Sequence, residues 1–288
     1  MANTIALFKK YIDLLDEVYK QGSLTADLDG DTTLVQAGAN ANEIIIPKME
    51  MDGLADYSRN GGYVTGSVTL TNETVKFNYD RGRKFSVDAM DNEETAGVAF
   101  GKLSSEFIRT KVVPEQDAFR FATYSAVAGI SSASGTLANG EAVLAALVAA
   151  QSKMDEDEVP QDQRYLYITP TCYNAVNAVD TTKSREVLAS FAKIIKVPQT
   201  RFYTAIKLNS GGSGEEAGGF KKADSASEIN FMVIHKPAVI QYPKHTVNKI
   251  IAPEDNQESD GWLFFYRAYG LADAYENKAA GIYIHTKA

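Results

Sequence analysis

A mixed α+β fold is predicted, and three observations predict it. Residues 61–87, GGYVTGSVTLTNETVKFNYDRGRKFSV, alternate apolar and polar side chains as half-buried strands do. Residues 92–113 place Ala96, Phe100, Leu103 and Phe107 on one helical stripe. From residue 140 onward helical and strand patterns alternate, the mark of an α/β unit. With 288 residues, the chain can bury a sizeable core as one large domain or two moderate ones. Its 44% hydrophobic and 23% charged residues are ordinary globular values, so wholesale disorder is not expected.

Taken in order, the chain opens on an amphipathic helix with Phe8, Ile12, Leu15 and Tyr19 on one stripe. Lys9, Lys10, Asp13, Asp16 and Glu17 interrupt any apolar run there, so no signal peptide is expected. About forty residues follow with a single apolar burst, Ile44, Ile45 and Ile46 before Pro47. Connections of that length are uncommon inside compact domains, so this run is expected to be an extended arm that lies on something else. Residues 61–90 are expected to be a β-hairpin. Val64, Val68 and Leu70 belong to its first strand, Val75, Phe77 and Tyr79 to its second, with the turn near Asn72. A lone two-stranded ribbon is marginal in water, so its cover must come from elsewhere.

Asp91 with Glu94 has the pattern of a capping box. It opens a helix to Val113, a rod on the order of 30 Å long. Pro114 then starts a second helix, PEQDAFRFATYSAVAG, as a first-turn proline. SSASGTLANG from Ser131 is a loop and subdomain boundary. Next come a helix EAVLAALVAAQSKMDEDE, a strand RYLYITP, and a short helix capped by Thr169 and opened by Pro170. A helix REVLASFAKII follows, with Val187, Leu188, Phe191 and Ile195 inward, then a strand RFYTAI. LNSGGSGEEAGGFKKADSAS is expected to be a mobile surface loop. The remainder reads as strands INFMVIH, AVIQY, TVNKII, WLFFYRAYG and GIYIH, with Pro237 and Pro243 separating the earlier ones. No internal repeat of solenoid period is present.

The chemistry is sparse. A formal net charge of -8 argues against a surface built to grip nucleic acid phosphates. No stretch approaches the ~20 apolar residues that span a bilayer, so no membrane partner is expected. Cys172 stands alone, which excludes an intrachain disulfide and a thiolate metal cluster. That suits a reducing cytoplasm or a disulfide-free particle. His235, His245 and His285 lack the i, i+4 spacing of a helical zinc site and read as strand-edge or surface residues, so no metal is expected. Gly211–Gly219 lacks the lysine and hydroxyl that complete a phosphate loop, and a flexible loop is preferred. Asp155–Glu158 reads as a solvated acidic run rather than a cation site. There is no Gly-x-Ser-x-Gly elbow, and no catalytic or cofactor-binding residue is assigned. Asn72-Glu73-Thr74 is formally a glycosylation sequon, taken as chance without an export signal. Arg81, Arg83 and Lys84 cluster at the hairpin base, and acids on a neighbouring chain are preferred over nucleic acid as their partners.

An arm, a projecting ribbon, a long rod and an α/β unit make an improbable self-contained enzyme. They make sense if neighbouring copies cover the extended parts. The stretches NETVKFNYDRGRKFSVDAMDNEETAG, INFMVIHKPAVIQ and YGLADAYENKAAGIY resemble those of major capsid proteins of tailed bacteriophages and prophages, whose fold encapsulin compartments share. The order of elements is similar over nearly the whole chain.

The resemblance implies an α+β tailed-phage major capsid fold. Residues 1–60 would be the N-terminal arm and 61–90 an extended loop lying over an adjacent subunit. Residues 91–130 would be the peripheral domain with its spine helix, 131–242 the axial domain, and 243–288 the return to the peripheral domain with the C-terminal strand. Ile44, Ile45, Ile46, Val64, Val68, Leu70, Val75, Phe77, Tyr79, Arg81, Arg83 and Lys84 would then be subunit-interface residues, and Phe100, Leu103 and Phe107 the core of the spine helix. The implied function is self-assembly, from hexamers and pentamers, of an icosahedral shell around double-stranded DNA. It carries further implications: location in the virion, assembly in the host bacterial cytoplasm, a separate scaffolding protein, and portal and head-completion proteins as partners. Some members join subunits through a lysine–asparagine bond. Lys76 and Lys84 lie in the loop, but no acid is placed to catalyse such a bond, and crosslinking is not expected. The alternatives are an encapsulin-type compartment holding a cargo enzyme and, from another class, a soluble α/β hydrolase or binding protein with a deep polar pocket.

Overall fold

The computed structural model describes residues 22–30, 43–94, 102–179 and 181–288. The expected helix around Phe8–Tyr19 lies outside the described residues, as does Phe100. Two sheets carry the core. The larger has five strands in the order β4 (Ser131–Ser134), β12 (Ile282–Thr286), β9 (Ile229–His235), β5 (Arg164–Ile168) and β6 (Lys193–Lys196). Strand β9 is antiparallel to both neighbours, while β4 and β6 lie parallel to theirs at the edges. Its near-continuous apolar run follows from burial on both faces. Met232 and Ile234 enter one cluster with Tyr167, Phe121 and Phe202, while Phe231 and Val233 enter another with Leu166, Leu147 and Val143.

The second cluster lies under α4 (Gly140–Glu156), α5 (Pro170–Asn177) and α6 (Thr181–Ala189). Asn139 caps α4, its Oδ1 accepting from the Ala142 amide at 2.9 Å. Gly140 is where α4 meets α5, and a Cβ there would stand 2.0 Å from the Ala175 carbonyl oxygen. Pro170 opens α5 behind Thr169, as expected, although the Thr169 side chain makes no capping bond.

The smaller sheet is antiparallel, in the order β10 (Val239–Ile251), β11 (Gly261–Ala274) and β3 (Tyr79–Asp88). A helical rod packs on one of its faces. The rod runs from α2 (Leu103–Phe107) through a π-helical turn, Ile108–Val112, into α3 (Val113–Ser125). Pro114 sits in the first turn of α3, as expected. The two helices are nevertheless continuous, because the wider π turn leads into the residue that lacks an N–H. Leu103 and Phe107 are partly buried against the sheet, and the Phe107 ring contacts those of Phe85 (4.8 Å) and Tyr266 (5.9 Å). The preceding helix α1 starts at Ala89, earlier than expected. Asp88 rather than Asp91 serves its N-terminus, accepting from the Met90 amide at 2.9 Å.

Several expectations are corrected. Residues 68–76 do not turn at Asn72; they form one strand, β2 (Val68–Lys76), paired with β1 (Glu43–Met51) in the register Glu43↔Lys76 to Met51↔Val68. Strand β3 pairs with β11 instead of closing a hairpin. The ribbon is therefore made from the isoleucine burst of the supposed arm, and its apolar cross-strand pairs are Ile44 with Val75, Met49 with Leu70 and Met51 with Val68. Pro243 does not end a strand: β10 passes it with a register shift between Pro243 and His245, a bulge that tolerates the missing donor. KIIK is strand β6 rather than a helix end, and the strand expected over 201–206 does not form: residues 199–201 are a 3-10 turn, and Ile206 instead begins the short β7 (Ile206–Leu208), paired with β8 (Phe220–Lys222). Residues Ser131–Ser134 are an edge strand, not loop. The C-terminal strand β12 returns to the five-stranded sheet, and β10 already belongs to the three-stranded one from Val239. Among the described residues no helix is long and apolar enough to cross a membrane.

Candidate assembly interface

The ribbon has a dry root and a wet tip. At the root, Ile44 and Val75 are buried with Ile240, Tyr242 and Leu271 of the three-stranded sheet, and Ile46 and Phe77 pack partly against them. Ile45 is half-buried. Phe77 stacks on Tyr269 at 5.0 Å, with the Lys244 ammonium 4.5 Å from the Phe77 ring centre. Beyond Pro47 this cover ends. Met49, Met51, Leu54, Tyr57, Tyr63, Val64, Val68 and Leu70 are all exposed, Leu54 and Tyr63 almost completely. They are most of the exposed large apolar side chains among the described residues.

The tip is nonetheless ordered by its own bonds. Asp52 and Ser67 exchange two hydrogen bonds: the Asp52 amide donates to the Ser67 carbonyl at 3.1 Å and its carboxylate accepts from the Ser67 amide at 2.7 Å. Ser58 and Gly62 form a bridge, with Gly62 at φ +76°, a left-handed conformation that suits glycine. Tyr57 and Tyr63 lie ring to ring at 4.8 Å.

The basic cluster is paired within the chain, contrary to expectation. Arg81 Nε donates to Glu115 Oε1 at 2.8 Å, and the Tyr79 hydroxyl donates to the same oxygen at 3.2 Å. Burial, reinforced by the Glu115 charge, pushes the Tyr79 phenol well above its usual range. Arg83 donates to the Glu216 carbonyl at 2.7 Å, and Lys84 pairs with Glu258 at 2.7 Å. The glycine-rich segment is thus bound, with Arg81 also reaching the Gly219 carbonyl at 3.4 Å. Spacing alone could not reveal these partners, because Glu115, Glu216 and Glu258 are distant in sequence.

The outer face of the three-stranded sheet carries a shallow concavity. Val247, Ile251 and Phe265 form its floor, and Lys84, Lys249 and Arg267 its rim. Arg267 is held by Asp80 through two bonds of 2.8 and 2.6 Å.

Two of the three histidines are not surface residues. His235 and His285 are buried, because β9 and β12 are interior strands, and burial lowers the pKa of both. His285 stacks on Phe231 at 5.2 Å, with Nδ1 3.1 Å from Asn230 Nδ2. His245 is exposed. Cys172 is buried, and burial raises its thiol pKa. Asp155 and Asp157 of the acidic run pair with Arg164 (2.7 Å) and Lys153 (2.6 Å). Among the described residues no three His, Cys, Asp or Glu side chains are grouped to hold a metal.

No protein-family model matches the chain, and no curated protein matches it. Solved structures do. A chain from Mycobacterium phage Che8 aligns with TM-score 0.67 at 13% identity, over 99% of this chain and 98% of that one. A chain of the mature capsid of bacteriophage PhiM1 aligns with TM-score 0.69 at 10% identity, over 97% and 91%. A chain of a virus-like particle from Pyrococcus furiosus aligns with TM-score 0.51 at 12% identity, over 85% and 86%. With the backbones aligning over nearly the full length while the sequences have diverged this far, this chain has the capsid fold of tailed phages.

Proposed function

We propose that the protein is a major capsid protein, a non-enzymatic subunit that self-assembles into an icosahedral shell enclosing double-stranded DNA. The observation that carries this reading is the ribbon. Its tip is ordered by backbone and side-chain bonds yet holds a row of exposed apolar groups that no other described part of the chain covers. Contiguous apolar surface of this kind marks an interaction site. A shell subunit resolves it: the ribbon lies over an adjacent copy and becomes dry on assembly. The concavity on the outer sheet face suits that role. Its floor is apolar and its charged lining, Arg83, Lys84, Lys249 and Arg267 with Asp80, is mainly basic, whereas residues 49–70 of the ribbon carry Glu50, Asp52 and Asp56 against one base, Arg59.

Such a contact is heterologous, and it closes into rings of five or six if the rotation per copy allows. Many weak contacts per copy then hold each subunit in place. In this scheme the five-stranded unit is the axial half, the three-stranded sheet with its rod is the peripheral half, and the ribbon is the extended loop. A separate scaffolding protein and portal and head-completion proteins are the expected partners. The virion is the expected location, after assembly in the host bacterial cytoplasm. The net charge of -8 would limit adhesion of packaged DNA to the inner wall.

Electron microscopy of the purified protein, alone and with a co-expressed scaffold, tests the reading. Closed shells or capsomer rings are expected, and a population of monomers under every condition would overturn it. The likeness to the Pyrococcus furiosus particle favours one second reading, a compartment filled with protein instead of DNA. Nuclease treatment and mass spectrometry of particles from cells would separate the two.

A further inference from the structure

The N-terminal stretch Gly22–Gly30 behaves unlike an arm. Thr25 is fully buried and Leu28 nearly so, Leu28 lying in the cluster with Phe121, Tyr124, Tyr167 and Val239. One carboxylate holds the stretch in place. Asp117 of α3, itself fully buried, accepts from the Ser23 hydroxyl (3.2 Å), the Leu24 amide (3.1 Å), the Thr25 amide (3.3 Å) and the Thr25 hydroxyl (2.8 Å). Arg201, in the turn that follows β6, donates to the same carboxylate at 3.0 Å.

The bonds of the stretch divide between the two halves of the molecule. Asp27 pairs with Lys193 of β6, in the five-stranded sheet. The Thr25 carbonyl and the Asp29 carboxylate accept from the Gln241 side chain of β10, in the three-stranded sheet, at 2.7 and 2.6 Å. The Gly30 amide donates to the Gln241 carbonyl at 3.0 Å, and Tyr124 of α3 donates to the Gln241 side-chain oxygen at 2.7 Å. A carboxylate buried this fully is costly unless its oxygens are hydrogen-bonded, so Asp117 and the donors of the stretch hold each other in place.

We propose that residues 22–30 are a strap that fixes the angle between the two sheet-bearing halves, with Asp117 as its lock. Helix α3 is shared by both halves: Phe121 enters the cluster of Tyr167 and Met232 in the five-stranded sheet, Tyr124 enters it too while bonding Gln241 of β10, Phe119 packs against the clusters on both sides, and Val112, just before the helix, faces the three-stranded sheet. It is the axle about which the halves would pivot once the strap leaves. The inference rests on intrachain contacts and holds whether or not the protein forms shells.

The test places spin labels at Ser152→Cys on α4 and Lys249→Cys on β10, with Cys172→Ala, and reads the distance distribution of the full chain. The parent should give one narrow distribution. Asp117→Asn should broaden or split it, with loss of hydrogen-exchange protection at the Leu24 and Thr25 amides. Should Asp117→Asn fail to fold, Thr25→Ala with Leu28→Ala weakens the strap from its own side and leaves the Asp117–Arg201 pair intact. A distribution unchanged while those amides lose protection would overturn the proposal, because the strap would then be released without freeing the halves.

Discussion

The ribbon tip and the five-stranded sheet are built from similar residues and end in opposite environments. Val68 and Leu70 of β2 are 67% and 64% exposed, whereas Val233 and Ile234 of β9 are fully buried. Both segments satisfy their backbone by strand pairing, so hydrogen bonding does not distinguish them. What differs is what lies above the side chains. Strand β9 has helices and strap over both faces; the distal ribbon has nothing over it among the described residues. The sheet therefore stabilises the subunit, and the ribbon tip holds apolar surface in reserve for another surface.

The comparison can be broken from either side. The largest effect is expected from replacing residues 52–67 with Asn-Gly, which joins Met51 to Val68 as a two-residue hairpin turn. The subunit should fold and remain monomeric, and shells should vanish from micrographs; shells of normal size would refute the role given to the tip. Phe231→Ala should do the reverse. It removes a fully buried ring from the sheet and should cost about 3–5 kcal/mol in denaturant unfolding of the subunit.

Arg81→Met removes the charged partner of the buried Glu115 carboxylate and leaves it the bond from the Tyr79 hydroxyl, and should cost about 2 kcal/mol. A double-mutant cycle with Glu115→Gln would isolate that coupling. Leu54→Ser with Tyr63→Ser should change subunit stability by no more than about 0.5 kcal/mol, since neither side chain is covered, yet should raise the concentration needed for assembly.

The smallest effect is a pH dependence at the ribbon root. Burial, with the nearby charges of Glu276 and Asp273, raises the pKa of Glu73; burial, opposed by its bond from the Ala274 amide, raises that of Asp273. Folded values above the unfolded ones mean that the contribution of these groups to the docked root is complete in acid. It is lost as pH climbs through their raised values. Hydrogen exchange of residues 43–46 and 73–76, corrected for intrinsic rates, should therefore show stronger protection at acid pH. Glu73→Gln with Asp273→Asn should flatten that difference.

Much of this was legible in order and little of it in partnership. The apolar run of β9, the stripe carrying Leu103 and Phe107 and the Pro170 helix start follow from periodicity and local chemistry, whereas Val75 and Tyr79, expected to be covered by a neighbouring copy, are already buried within their own chain. The ribbon pairing did not, because Asn72-Glu73-Thr74 has the composition of a turn and only the cross-strand match with Ile44–Pro47 makes it a strand centre. Sequence spacing also hid the strap. Nothing local marks Asp117 or Gln241 as buried, since the hydrogen-bond partners of their side chains lie 84 or more positions away.

By itself, then, the chain's pattern of apolar residues determined which segments become strands and helices, that the fold mixes both, and that more apolar surface is present than extended parts can hide. Tertiary structure decided which strand pairs with which, which acids meet Arg81, and which half of the ribbon stays wet. The physical reason is that periodicity is a local property, read within a few turns of chain. Pairing and burial depend on contacts between distant segments, whose energies are fixed only when the whole chain is folded.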